Sequence, residues 1–103
     1  MTINRIKATG IDLTDAIKDA VLKELSSLDE LTARWGESVS ADVEVGRTTN
    51  HHHKGDVHRA EINLHLPGKT LRAEDVGEDL YAVIKEAVRT MHREVVKEKE
   101  RNA

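Results

Sequence analysis

Residues 57–74 read VHRAEINLHLPGKTLRAE, and the period of two in this stretch decides the fold. Ala60, Ile62, Leu64 and Leu66 alternate with Arg59, Glu61, Asn63 and His65. Successive side chains of a strand point to opposite faces, so one face is apolar and the other charged. Pro67-Gly68-Lys69 is a tight hairpin turn. Leu71 and Ala73 then resume the inward set over residues 70–74, TLRAE. Upstream, residues 38–47, SVSADVEVGR, alternate in the same way: Val39, Ala41, Val43 and Val45 inward, Ser40, Asp42 and Glu44 outward. Polar residues 48–56, TTNHHHKGD, join these two strands as a turn. Three antiparallel strands with one apolar face require something to cover that face.

Two helical segments flank the strands. Residues 3–8, INRIKA, form a short first strand that Gly10 breaks. Asp12 or Thr14 then caps a helix running to about Leu28, with Asp15 in its first turn, where the helix dipole favours an acid. Its apolar stripe is Ile17, Val21, Leu25 and Leu28, with Leu22 at the margin. Residues 29–37, DELTARWGE, are a connection whose Trp35 seals one end of the core. At the other end, Asp75-Val76-Gly77-Glu78 fits a capping box, and a helix follows to Arg101. From about residue 98 the tail loses the apolar stripe and is expected to fray. The predicted architecture is α+β with the order β-α-β-β-β-α: a four-stranded sheet with two helices packed on one face. Residues 1–103 make a single domain without repeats.

The last helix carries two stripes. Leu80, Ile84, Ala87, Val88, Met91 and Val95 recur at spacings of three and four, one face of an α-helix. Lys85, Arg89, Arg93 and Lys97 recur every four residues, as a spiralling row roughly opposite. The ordinary role of such a row is a solvated face with salt bridges three and four residues apart. Here the neighbours at four residues are cations, which repel. That pattern points to an anionic partner, with Lys18 and Lys23 joining the patch if the two helices pack side by side. Phosphate contacts of this kind position a partner without reading its sequence.

Composition bounds the alternatives. A net charge of −3 argues against coating nucleic acid by bulk charge, so any such binding needs segregated cations. Phe and Cys are absent, which leaves an aliphatic core and excludes thiol chemistry and disulfides. No signal-peptide pattern and no membrane-length apolar run occurs, so a cytoplasmic protein without a membrane partner is expected. Histidines 51–53, with His58 nearby, are the one ligand-rich cluster. Adjacent residues diverge, and Cys is missing, so a polar turn is expected there and no metal site or cofactor. Glu61 and Glu74 could sit on neighbouring strands, but an open sheet face offers no cleft to shift their titration. No catalytic residue is assigned, and the protein is expected not to be an enzyme.

The chain resembles the ribosome hibernation-promoting factor family, also called ribosome-associated inhibitor A or sigma-54 modulation protein, in its short form. Asp12-Leu13-Thr14-Asp15-Ala16-Ile17-Lys18 is similar to the family's helix start. His58-Arg59-Ala60-Glu61-Ile62, then Leu64-His65-Leu66-Pro67-Gly68, is similar to its strand and turn. Leu71 and Ala73, then Glu78-Asp79-Leu80-Tyr81-Ala82-Val83-Ile84, match the run into its second helix. The resemblance implies a fold like that of double-stranded RNA-binding domains. It implies binding to the small ribosomal subunit and its ribosomal RNA in the messenger and transfer RNA channel. It further implies inhibition of translation in stationary phase or stress, by a protein that is monomeric off the ribosome. Carried over by position, Lys18, Lys23, Arg93 and Lys97 contact RNA; Lys85 and Arg89 come from the stripe itself. Thr90 departs from the family, which often has Lys there. A general double-stranded RNA-binding module shares the element order, and a metal-dependent enzyme centred on the histidine turn is the other rival.

Overall fold

Strand alternation builds the sheet in the computed structural model, which describes residues 1–48 and 57–101. Strands β2 (Ser40–Arg47), β3 (His58–Leu66) and β4 (Lys69–Gly77) form an antiparallel meander, and β1 (Thr2–Thr9) lies parallel to β2. The strand order is β1-β2-β3-β4. Register sets Ile6, Val43, Ile62 and Ala73 in one row across all four strands. Helices α1 (Asp15–Ser26) and α2 (Leu80–Arg101) cover the face that carries this row. Val39, Ala41, Val45, Leu64, Ala87, Met91 and Val95 are wholly buried between the layers. Ile17, Val21, Leu25 and Leu28 supply the α1 side of the same core, and Trp35 packs against it half-buried.

Local chemistry explains the joints. Thr14 is the N-cap of α1: its hydroxyl oxygen accepts from the Ile17 N–H at 3.2 Å. Pro67 and Gly68 make the two-residue turn between β3 and β4, and Gly68 takes φ +74°, a conformation that disfavours a side chain. Gly46 serves close approach instead: a Cβ there would collide with the Thr9 carbonyl of β1. In β1 the strict alternation fails, because Ile3 and Ile6 are an odd number of residues apart. A bulge between Ile3 and Arg5 restores it, and both isoleucines pack on the core.

One expectation at the start of α2 changes. Asp75 is not a helix cap, because β4 continues through Gly77 and the Asp75 carboxylate accepts from the Thr90 hydroxyl at 3.3 Å. Asp79 does the capping: its carboxylate accepts from the Tyr81 N–H at 3.0 Å, and its carbonyl takes the Val83 N–H at 2.9 Å. Helix α2 is continuous to Arg101. Glu98 is buried and receives Lys69 at 2.7 Å, which pins the helix end to the β3–β4 turn. Between Leu28 and β2, the connection contains a 3₁₀ segment, Ala33–Ser38. The histidine turn, His51–His53, lies outside the described residues.

The outer face of the sheet is polar, as the alternation predicts, and its central charges pair with one another. Register aligns Lys7, Glu44, Glu61 and Glu74 in a row. Arg59 reaches Glu44 and Glu74, each at 3.1 Å, and also bonds Glu61. Arg72 reaches Glu61 at 3.0 Å and Glu74 at 2.8 Å. Hydrogen bonds from Asn63 and then Arg72 hold the Glu61 carboxyl below its usual value of 4.5. Glu61 and Glu74 do sit together, as ion-pair partners of Arg59 and Arg72.

A carboxylate whose folded-state pKa is depressed contributes stability above its unfolded value and loses it as pH falls through the folded one. Glu61→Gln should therefore lower the melting temperature at pH 7 by a few degrees, about what 1 kcal/mol gives in a domain of this size. The gap from wild type should close as the pH drops well below 4.5. Thermal melts at pH 7 and pH 2.5 check this.

Candidate nucleic-acid interface

The core dictates which cations can face outward together. Helix α2 buries Leu80, Ile84, Ala87, Val88, Met91, Val95 and Glu98, so its remaining surface looks toward α1, solvent and the β4 edge. A step of four residues advances about 40° around a helix of 3.6 residues per turn. The row from Lys85 to Lys97 consequently sweeps about 120° around α2. Lys85 begins on the α1 side and Lys97 ends on the far side.

A groove of about 360 Å³ runs between the C-terminal half of α1 and the middle of α2. Lys85, Arg89, His92, Arg93 and Val88 line it from α2, and Glu24 and Ser27 line it from α1. Three of the four stripe cations thus meet at one concave feature, and Lys97 does not. On α1, Lys23 lies one turn before Ser27, on the exposed face beside the groove. Lys18 lies elsewhere: it lines a second groove with Arg5, Ile3, Ile6, Leu13 and Leu22, against β1. Lys18 and Lys23 are five residues apart, about 140° around the helix, so they cannot share one face.

The stripe is partly neutralised. Glu86 takes Arg89 at 2.7 Å and Glu94 takes Lys97 at 3.5 Å, both three residues apart on the exposed helix surface. These are the solvated pairs that the sequence offers as the ordinary alternative, and they displace the simple picture of four mutually repelling cations. Exposed pairs of this kind are worth about 0–1 kcal/mol, so an incoming phosphate can displace them. Arg93 is held differently. Its guanidinium donates to the Thr90 hydroxyl at 3.2 Å, and that hydroxyl donates to Asp75 at 3.3 Å. Lys18, Lys23 and Lys85 have no ion pair among the described residues. At the end of α1, the Ser26 and Ser27 hydroxyls donate to the Lys23 and Glu24 carbonyls, at 2.6 Å and 2.8 Å.

Ser27 and Glu24 escaped the sequence reading, and so did the place of His92 in the groove. His92 stands seven residues after Lys85, on the same side of α2, while Glu24 and Ser27 reach the cations only through the packing of α1 on α2. Among the described residues no cluster of three or more His, Cys, Asp or Glu could hold a metal, and no helix is long and apolar enough to cross a membrane.

The sequence profile of the sigma 54 modulation protein / S30EA ribosomal protein family matches residues 5–103. The chain belongs to this family. Among curated relatives, this S30EA-family chain is 28% identical over 101 residues to a ribosome hibernation promotion factor of Deinococcus radiodurans, covering 98% of its own length. It spans 51% of that relative. Among solved structures, the N-terminal domain of Thermus thermophilus Protein Y superposes with a TM-score of 0.75 at 34% identity, over 92% of this chain and 96% of that one. A ribosomal subunit interface protein from Coxiella burnetii superposes at 0.74 with 20% identity, over 97% and 99% of the two chains, which speaks for the shared fold.

If Glu86 and Glu94 hold Arg89 and Lys97 back from phosphate, releasing them strengthens binding. The double variant Glu86→Gln, Glu94→Gln should bind a fluorescein-labelled RNA about two- to fivefold more tightly at low salt, the scale of one or two exposed ion pairs. Fluorescence anisotropy measures the change, and unchanged affinity would contradict it.

Proposed function

We propose that this chain is a ribosome hibernation factor. It binds the small ribosomal subunit at the messenger and transfer RNA channel and so inhibits translation in stationary phase or stress. The observation that carries the reading is the convergence of Lys85, Arg89 and Arg93 on one groove in a chain of the S30EA family. Cations gathered on the helix layer suit a phosphate backbone, while the sheet face opposite has its charges paired internally. The action is steric: a rigid domain lodged where messenger and transfer RNA pass leaves no room for either. The protein works as a monomer in the cytoplasm, without catalysis or cofactor. A net charge of −3 keeps it off stray nucleic acid, so binding depends on a site whose shape admits the groove.

The test is co-sedimentation with purified small subunits on sucrose gradients. Wild-type protein should travel with the subunit at low salt and leave it steeply as salt rises, because phosphate contacts release counterions. Reversing Lys85, Arg89 and Arg93 together to Glu should cost at least on the order of a hundredfold in affinity, from the loss of three phosphate contacts. Circular dichroism should stay native. Arg93→Glu with Lys97→Glu should cost less, because Lys97 stands outside the groove. Tighter binding to a plain RNA duplex than to the subunit would favour a general double-stranded RNA-binding module instead.

A further inference from the structure

We propose that His92 is a further RNA-binding residue of this groove, and that it couples the strength of binding to protonation. The proposal rests on the reading of the groove as the face that meets ribosomal RNA. His92 is exposed on α2 and lines the groove beside Lys85, Arg89 and Arg93. Its ring makes no hydrogen bond or ion pair among the described residues. The other described histidines differ. His65 is engaged by Asp42 at 2.6 Å and Thr70 at 2.9 Å on the opposite face of the sheet, and the Nδ1 of His58 is buried. His92 is therefore the described imidazole that is both free and set among phosphate-binding cations.

The chemistry follows from what an imidazole can offer. A neutral ring has one N–H donor and an imidazolium has two. A phosphate oxygen within hydrogen-bonding reach favours the charged form, so binding takes up a proton. Histidine is the side chain whose ordinary titration falls between about pH 5 and 8, so this uptake occurs in the range where cells live. The charged groups facing His92 are Lys85, Arg89 and Arg93 from its own helix and Glu24 from α1. The three cations draw the phosphate in. Glu24 competes with it, since a carboxylate at the groove wall repels phosphate and attracts the same proton. Glu24→Gln should accordingly tighten binding and leave the pH dependence in place.

The experiment measures the affinity of the full chain for purified small subunits at pH 6.0 and pH 7.5, at fixed ionic strength. Wild type is expected to tighten about fourfold at the lower pH, the share of a one-unit pKa rise in a single bound group that is realised between these two pH values. His92→Gln should bind more weakly than wild type at pH 6.0 and gain less than about twofold between pH 7.5 and pH 6.0, since it loses the titration. An equal gain in wild type and His92→Gln overturns the proposal, and so does no gain in wild type. Absence of wild-type binding at both pH values overturns the ribosome reading itself, and this proposal with it.

Discussion

The row Ile6, Val43, Ile62 and Ala73, running across all four strands on one face, is the constraint on which the rest of the molecule depends. A sheet with one apolar face must be covered, and burying each large aliphatic side chain contributes about 1.5–3 kcal/mol. The cover here is two helices whose own apolar stripes include Leu25, Met91 and Val95, all at most 2% exposed. Once those stripes face the sheet, the remaining helix surface is committed to solvent. The cations of α2 stand outward because the core leaves them nowhere else to go. The groove they line is a by-product of the same packing: α1 and α2 touch over the core and part above it.

Charge is distributed with equal economy. On the outer sheet face, Arg59 and Arg72 are each shared among glutamates. On the helix face, Arg89 and Lys97 have one local acid each, and Lys85 has none among the described residues. Two faces of one small chain thus differ in what they offer, although the whole carries a net charge of −3. An anion that meets the helix face displaces weak exposed pairs, whereas one that meets the sheet must break a connected network.

Much of this was legible in the residues. Strict alternation in residues 39–45 and 60–66 specified the inward set, and each of those residues is buried as read. The element order and the one-sided helix layer followed from it. The errors have identifiable causes. Asp75 resembled a cap because Glu78 stood three residues on, but pairing with β3 carries the strand through Gly77 and leaves Asp79 to cap. At the other end of α2, nothing in the residue pattern announced the long-range ion pair from Lys69 to Glu98. In the site, residue types were readable while their directions were not. A four-residue repeat drifts around the helix, which carries Lys97 away from the groove. Lys18 falls on the β1 side of α1. His92 shares the side of Lys85 by helical period, but the groove it lines exists only where α1 packs beside α2.

The central claim is that the helix layer, and not the sheet, faces the small subunit. The chain has no cysteine, so single probes can be attached cleanly. An iron chelate tethered through Ser27→Cys, at the groove, or through Val76→Cys, on the outer sheet face, would cut nearby RNA in the bound complex. The account predicts cleavage of ribosomal RNA lining the messenger and transfer RNA channel from position 27, and far weaker cleavage from position 76. Stronger cleavage from position 76 would contradict it.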